Sequence, residues 1–319
     1  MTRPSNDLLD LVPRTEFDGP ELAFELQGLE IGCAEYEEGP TGCTVFDFPD
    51  GAAVQIDVRG GSPGTFGASY ELVHAICLSG GSLYGLEAAT GVAAELFARR
   101  EYRTGWLDIP LVAGAIIFDY GRRENGIYPD KELGRAALRA ARPGLFPLGA
   151  RGAGRSATVG KTFDFEGVEP GGQGGAFRRL GETRIAVFTV VNAIGAVVDR
   201  DGTVVRGHLD EASGTRHALV PRIEERLTAG VPARTPPGNT TLTVVVTNQQ
   251  LDARLLRTLG RQVHASMARA IQPFHALVDG DVLFAVSTNE VEEELGSIEL
   301  GVVASELAWD AVLAAVSGT

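Results

Sequence analysis

Thr240 is the residue of this chain best placed for nucleophilic chemistry. The segment Pro236-Pro237-Gly238-Asn239 runs straight into Thr240-Thr241-Leu242-Thr243-Val244-Val245-Val246-Thr247. Two prolines and a glycine end an irregular approach, and the β-branched run predicts a strand over 240–247, with Thr240 as the hinge. Cutting the amide before Thr240 would make this hydroxyl residue an amino terminus. An α-amine has an unperturbed pKa of about 7.7 to 8.0, so it can take the hydroxyl proton near neutrality without a histidine. The same spacing also fits a threonine that merely opens a strand after a proline-rich loop.

Three further groups could complete such a site. Asp279-Gly280-Asp281 puts two carboxylates one residue apart at the mouth of a strand predicted over 282–287, where they could orient an amine and a hydroxyl. Asn192 breaks two strands predicted over 183–191 and 193–198. An asparagine amide aimed at a developing alkoxide lowers a barrier by about 2.7 to 4 kcal/mol. Lys161 follows Gly160 as an isolated cation. Each has a plainer alternative: a turn for Asp-Gly-Asp, a surface position for Lys161, a turn former for Asn192. Other motifs fail. Gly80-Gly81-Ser82-Leu83-Tyr84 lacks the last glycine of a nucleophile elbow. The five histidines show no ligand spacing, and the Gly-rich pieces Gly152-Ala153-Gly154 and Gly171-Gly172-Gln173-Gly174-Gly175 read as turns rather than a dinucleotide loop. No metal or other cofactor is expected.

The elements that would position these residues are strands in clusters followed by long helices. Short strands are predicted over 30–34, 44–48 and 53–58, a helix over 82–99 and an apolar strand over 110–119. From 121 to 181 the chain reads as loops with a helical excursion near 133–141, and 207–239 as irregular with a helical turn near 223–227. Leu251, Leu255, Leu259, Val263, Met267 and Ile271 recur every four residues, which predicts a helix of about six turns ending before Pro273. A last apolar helix is predicted over 302–316. This order favours an α+β layered sandwich, with helices on sheet faces, over an alternating parallel fold.

At 319 residues and 44% hydrophobic, the chain can bury a substantial core. A net charge of -14 and a pI near 4.9 leave no basic stripe for nucleic acid. No stretch of about 18 apolar residues would span a membrane. Met1 to Gly19 lacks a continuous apolar core, so no secretion signal is read there. Three cysteines without a C-x-x-C pair suit a reduced, cytoplasmic setting.

Several separated motifs then converge. Gly238-Asn239-Thr240-Thr241, Ile271-Gln272-Pro273-Phe274-His275 and Asp279-Gly280-Asp281-Val282-Leu283-Phe284-Ala285 resemble the P1 family of N-terminal-nucleophile hydrolases, the L-aminopeptidase/D-esterase group. Tyr36-Glu37-Glu38-Gly39-Pro40-Thr41-Gly42, His74-Ala75-Ile76-Cys77-Leu78, Tyr128-Pro129-Asp130-Lys131, Gly175-Ala176-Phe177-Arg178-Arg179-Leu180 and Ala308-Trp309-Asp310-Ala311-Val312-Leu313 look more specifically like the nylon hydrolases of that family, the 6-aminohexanoate-oligomer endohydrolases. The resemblance runs from about residue 25 to residue 315.

It implies a four-layer αββα sandwich of the kind shared with ornithine acetyltransferase, in one hydrolase domain over 25–319 behind a loose arm over 1–24. It also implies self-cleavage between Asn239 and Thr240 into an α chain, 1–239, and a β chain, 240–319, assembled as a homotetramer of αβ units. Thr240 becomes the nucleophile, Asp279 and Asp281 the family's acidic pair, Lys161 its active-site lysine and Asn192 its oxyanion asparagine. Phe118 stands where the nylon hydrolases carry a tyrosine. Tyr120, two residues on, would share a strand face with Phe118 and could supply the substrate-binding phenol. The implied activity is hydrolysis of linear amide oligomers such as 6-aminohexanoate oligomers through an acyl-enzyme on Thr240. Trimming of short peptides or β-peptides, and acyl transfer of the ornithine acetyltransferase kind, are the enzymatic alternatives. An acidic binding subunit is the non-enzymatic one.

Overall fold

The computed structural model describes residues 3–162, 167–232, 238–292 and 294–317. The Pro236-Pro237 approach and Glu293 lie outside the described residues. The main strands are β1 (Glu30–Tyr36), β2 (Thr41–Val58), β3 (Leu72–Ser79), β4 (Val112–Ile116), β5 (Gly172–Leu180), β6 (Thr183–Asn192), β7 (Thr240–Gln249) and β8 (Val282–Val291). The helices are α1 (Leu86–Arg99), α2 (Lys131–Arg139), α3 (Leu219–Thr228), α4 (Ala253–Ser266) and α5 (Ser297–Val316). The strands join in the order β5-β6-β7-β8-β2-β3-β4, with β1 on the first half of β2. The β7/β8 and β3/β4 pairs are parallel; the other pairs are antiparallel. This is a mixed α+β architecture.

Burial of alternate side chains divides the core. Leu242, Val244 and Val246 of β7 join Phe188, Phe284, Phe46 and Ile76 in one cluster. The rings of Phe46 and Phe188, from opposite halves of the sheet, lie 5.4 Å apart, so the two halves face each other across it. The other face of β6, β7 and β8, with Ile185, Val187, Val245 and Leu283, packs under α4 and α5. Ala34, Val45, Ala75 and Cys77 pack under α1 and α2. A strand buried on both faces carries apolar residues at successive positions, which is why Val244-Val245-Val246 has no polar alternation.

Several local expectations change. The strands predicted over 44–48 and 53–58 are one strand, β2: the register shifts between Asp47 and Ala52, where Gly51 takes φ +77° and bends the chain without reversing it. Gly171-Gly172-Gln173-Gly174-Gly175, read as turns, largely forms β5. A Cβ at Gly174 would lie 2.1 Å from the Ala311 carbonyl oxygen, so glycine here lets α5 close onto the strand. The six-turn helix is shorter: α4 ends at Ser266, and Ile271 leaves it to pair with Val197. Helix α3 covers ten residues in a stretch expected to hold one turn, and α5 starts five residues earlier than predicted. Near the N-terminus, Arg14 and Glu35 exchange two backbone hydrogen bonds of 2.9 Å, and Asn6 Nδ2 donates to Tyr128 O at 3.0 Å. Among the described residues no helix is long and apolar enough to cross a membrane.

Candidate active site

Strand pairing sets the first two groups. Thr240 opens β7 and lies opposite Asn192, the last residue of β6, in the antiparallel ladder. On the other side Asn239 pairs with Asp279 in a parallel bridge just ahead of β8. The peptide between Asn239 and Thr240 is therefore held from both sides, in a place where Asn239, Thr240, Asn192, Asp279, Asp281 and Lys161 are all at most 2% exposed.

The carbonyl of that peptide is the focus of the local hydrogen bonds. The Thr240 hydroxyl donates to Asn239 O. Gly280 N–H donates to the same oxygen at 2.9 Å. Gly280 has to be small: a Cβ there would meet Ser62 O at 2.7 Å and Thr240 Oγ1 at 2.9 Å. On the acyl side Gly238 takes φ +92°, and a Cβ on it would strike the Phe118 ring at 2.0 Å. Phe118 thus lies against the residue that precedes Asn239.

Lys161 and Asn192 are locked together. Lys161 Nζ donates to Asn192 Oδ1 at 2.9 Å and to Asn192 O at 3.1 Å. Oδ1 also accepts Thr158 N–H, which fixes the amide orientation and turns Nδ2 onto Phe118 O at 3.0 Å. Burial pushes the Lys161 ammonium down to about 7, against the pull of the Asp279 and Asp119 carboxylates. Asp279 is pushed up to about 7, first by burial and then by the like charge of Asp281, with Lys161 opposing. Its Oδ2 accepts Ala276 N–H at 2.9 Å, and the backbone N–H of Ile194 also acts on the carboxylate, both opposing the upward shift. Asp281 faces a different way: its Oδ1 accepts Thr241 N–H at 2.7 Å and its Oδ2 accepts the backbone N–H of His275.

Tyr120 corrects an expectation. Strand β4 ends at Ile116, and Tyr120 begins a 3-10 turn, so it shares no strand face with Phe118. Its hydroxyl points to Ile127 O at 3.2 Å, and its ring lies under the Arg123 guanidinium at 4.5 Å. Between the two aromatics sits Asp119, which was not singled out from sequence. It is buried, paired with Arg123 at 3.2 Å and bonded to Gly81 N–H, and it fixes the turn that carries Phe118. His275 and the Gly280 amide were likewise missed as parts of the site. Only the folded chain brings them to Thr240, so spacing gave no cue to their roles. Among the described residues no cluster of His, Cys, Asp and Glu could hold a metal ion.

A hydroxyl touching a carbonyl, a donor on its oxygen and titratable groups shifted toward neutrality are an arrangement suited to cleaving and transferring acyl groups. Comparison with known proteins agrees in kind. Residues 24–319 match the model of the peptidase S58 family. The chain is 47% identical over 323 aligned positions to the 6-aminohexanoate-oligomer endohydrolase of Agromyces sp. (strain KY5R), covering 98% of this chain and 90% of that protein. The enzyme of the same name from Paenarthrobacter ureafaciens is also 47% identical, with the same coverage. Among solved structures, the L-aminopeptidase D-Ala-esterase/amidase of Ochrobactrum anthropi, described as a variant of the Ntn hydrolase fold, superposes with a TM-score of 0.66 at 15% identity, over 94% of this chain and 88% of that one. This chain belongs to the peptidase S58 family.

Proposed function

We propose that this protein is a self-processing hydrolase of carbon–nitrogen bonds that cuts linear amide oligomers, with 6-aminohexanoate oligomers as the diagnostic substrate. The observation that carries the reading is the Thr240 hydroxyl on the carbonyl of its own preceding peptide, with Gly280 N–H on the same oxygen. Near-total coverage by relatives named 6-aminohexanoate-oligomer endohydrolase supplies the substrate class.

In the proposed self-cleavage, Thr240 Oγ1 attacks the Asn239 carbonyl carbon. The oxyanion is held by Gly280 N–H, the C–N bond breaks and the Thr240 nitrogen takes the proton, leaving an ester that water hydrolyses. The α chain then ends at Asn239 and the β chain begins with a free amine. In turnover that amine accepts the hydroxyl proton as Thr240 attacks the substrate amide, then passes it to the leaving amine; water resolves the acyl-enzyme. The buried Asp279 carboxylate, beside Asn239 in the parallel bridge, is the acceptor proposed for the amine. The Asn192 amide is proposed as the oxyanion donor, with Lys161 holding its orientation. Asp281 orders the backbone at Thr241. Phe118 is proposed as an apolar wall for the substrate acyl chain once the new chain end withdraws, and Tyr120 as an outer contact.

The finer architecture belongs to the same proposal. Two sheet halves facing across one cluster, each backed by helices, support a four-layer αββα sandwich over 25–319. Trp106 and Leu107, 86% and 93% exposed, offer the kind of surface that a homotetramer of αβ units would cover. Three buried, unpaired thiols suit a cytoplasmic setting.

The test is Thr240→Ala. Intact mass under denaturing conditions should show two species for the parent, split between Asn239 and Thr240, and one uncut, inactive chain for the variant. A cut and active Thr240→Ala protein would remove Thr240 from its role. Blocking the free amine of the substrate separates the enzymatic readings, because an endohydrolase tolerates the block and an aminopeptidase does not.

A further inference from the structure

Asp281 is held from behind by one imidazole, which a second imidazole backs. His275 Nδ1 lies 3.0 Å from Asp281 Oδ2, and the backbone N–H of His275 donates to the same oxygen at 3.1 Å. One residue thus delivers two donors to one carboxylate oxygen, with its backbone at φ +59°. Behind it His264, fully buried on α4, meets the His275 ring edge to face, with centroids 4.4 Å apart and planes at 85°. His264 Nδ1 is fixed in turn by Asp57 Oδ2 at 2.8 Å, and Asp57 is paired with Arg59 at 2.7 Å. The Asp281 carboxylate spans this stack and the nucleophile strand: its other oxygen takes Thr241 N–H at 2.7 Å, one residue past Thr240.

We infer that His275 is a positioning residue of the reaction. Its Nδ1–H fixes the rotamer of Asp281, and through Asp281 the backbone that aims the Thr240 hydroxyl and amine, while His264 and Asp57 keep the His275 ring from turning away. His275 touches no reacting atom. The inference rests on the reading of Thr240 as nucleophile. Packing alone would not need a side-chain nitrogen and a backbone N–H of one residue to converge on one carboxylate oxygen.

The decisive comparison is His275→Asn against His275→Asp. Both residues tolerate a left-handed φ and have nearly the same shape; the first keeps a donor to Asp281 and the second presents an acceptor. A charge-assisted hydrogen bond predicts a loss of about 10- to 100-fold in kcat and in the self-cleavage rate for His275→Asp, with KM within about twofold. His275→Asn should stay within about threefold of the parent in both. If His275→Asp does not fold, His275→Gly, which keeps the backbone donor and suits the φ, takes its place with the same expected loss. The inference is overturned if the Asn and Asp variants fall together, if the donorless variant keeps the parent kcat, or if KM absorbs the loss. Thr240→Ala runs alongside: were it cut and active, the nucleophile assignment would fail, whereas an inert Thr240→Ala beside a fully active His275→Asp would defeat the His275 inference alone.

Discussion

Lys161 and Asp279 are driven toward neutrality from opposite directions, because among the described residues neither buried charge has an ion-pair partner of the other sign. Burial costs each its charged form, and the attraction between them only partly offsets this. The consequence for stability has a definite sign and is best measured on uncut Thr240→Ala protein. Asp279 rises from 3.8 to about 7 on folding, so between those values the folded chain keeps a proton that the unfolded chain has lost, and stability falls as pH rises through that window. Lys161 drops from 10.5 to about 7, so above about 7 the unfolded chain holds the extra proton and stability rises with pH. Together they place a minimum in this contribution near neutrality. Adding Asp279→Asn should stabilise the uncut protein, by an amount that is small below about pH 4 and grows toward about pH 7. Urea midpoints at matched pH values measure it, and an advantage independent of pH would show that Asp279 is already ionised in acid. Thr240 and the two aspartates stood out as candidates because each lies in a short contiguous motif, whereas Lys161, an isolated cation, and Asn192, a strand break, took their suggested roles from the family resemblance. Asp119 and His275 did not stand out, since their meaning lies in what they touch: Arg123 and Gly81 in one case, Asp281 and His264 in the other.

Elements follow the same division between local and distant causes. Strand β7 was legible from its β-branched run and α4 from its four-residue period, both properties of consecutive residues. Strand β5 was hidden because its glycines carry no strand preference; Gly172 and Gly174 let α5 lie against the strand, while Gly175 faces Phe146 and Phe188 on the other side. At Gly174 a Cβ would sit 2.1 Å from Ala311 O and 2.4 Å from Ala315 N. Helix backbone cannot yield as a flexible side chain can. Gly174→Ala should therefore lower the unfolding free energy by about 1 to 3 kcal/mol. Gly126 is the contrasting case, since the nearest atom to an added Cβ is Pro4 O at 3.7 Å. Gly126→Ala should be neutral, or stabilising by up to about 1 kcal/mol through the unfolded chain. Denaturant unfolding of both variants checks the pair, and equal effects would mean that α5 does not press on β5 as closely as these distances state.

At the scale of the whole molecule, the proposed cut severs one peptide and no strand pairing. Beyond the cut, β7 lies between β6 and β8, in register from Asn192↔Thr240 to Ile185↔Thr247 on one side. Strand β8 in turn pairs with the end of β2 from Val282↔Val58 to Ser287↔Ala53. The 240–319 segment therefore supplies two central strands of a sheet whose flanking strands all precede the cut, and α4 and α5 cover it. The α+β class was legible from the order of strands and helices. This interleaving was not, because the sequence does not say that β2 runs on past its bend to meet β8. Withdrawing the shorter chain would expose Val244, Val245, Phe284 and the helix faces at once, each large apolar side chain costing about 1.5 to 3 kcal/mol. Fully processed protein should accordingly elute under native conditions as one particle containing both chains, and they should separate in urea only at the midpoint where the sheet itself unfolds. Release of the 240–319 chain before that midpoint would mean that the ladders on either side of it do not hold in the cleaved protein.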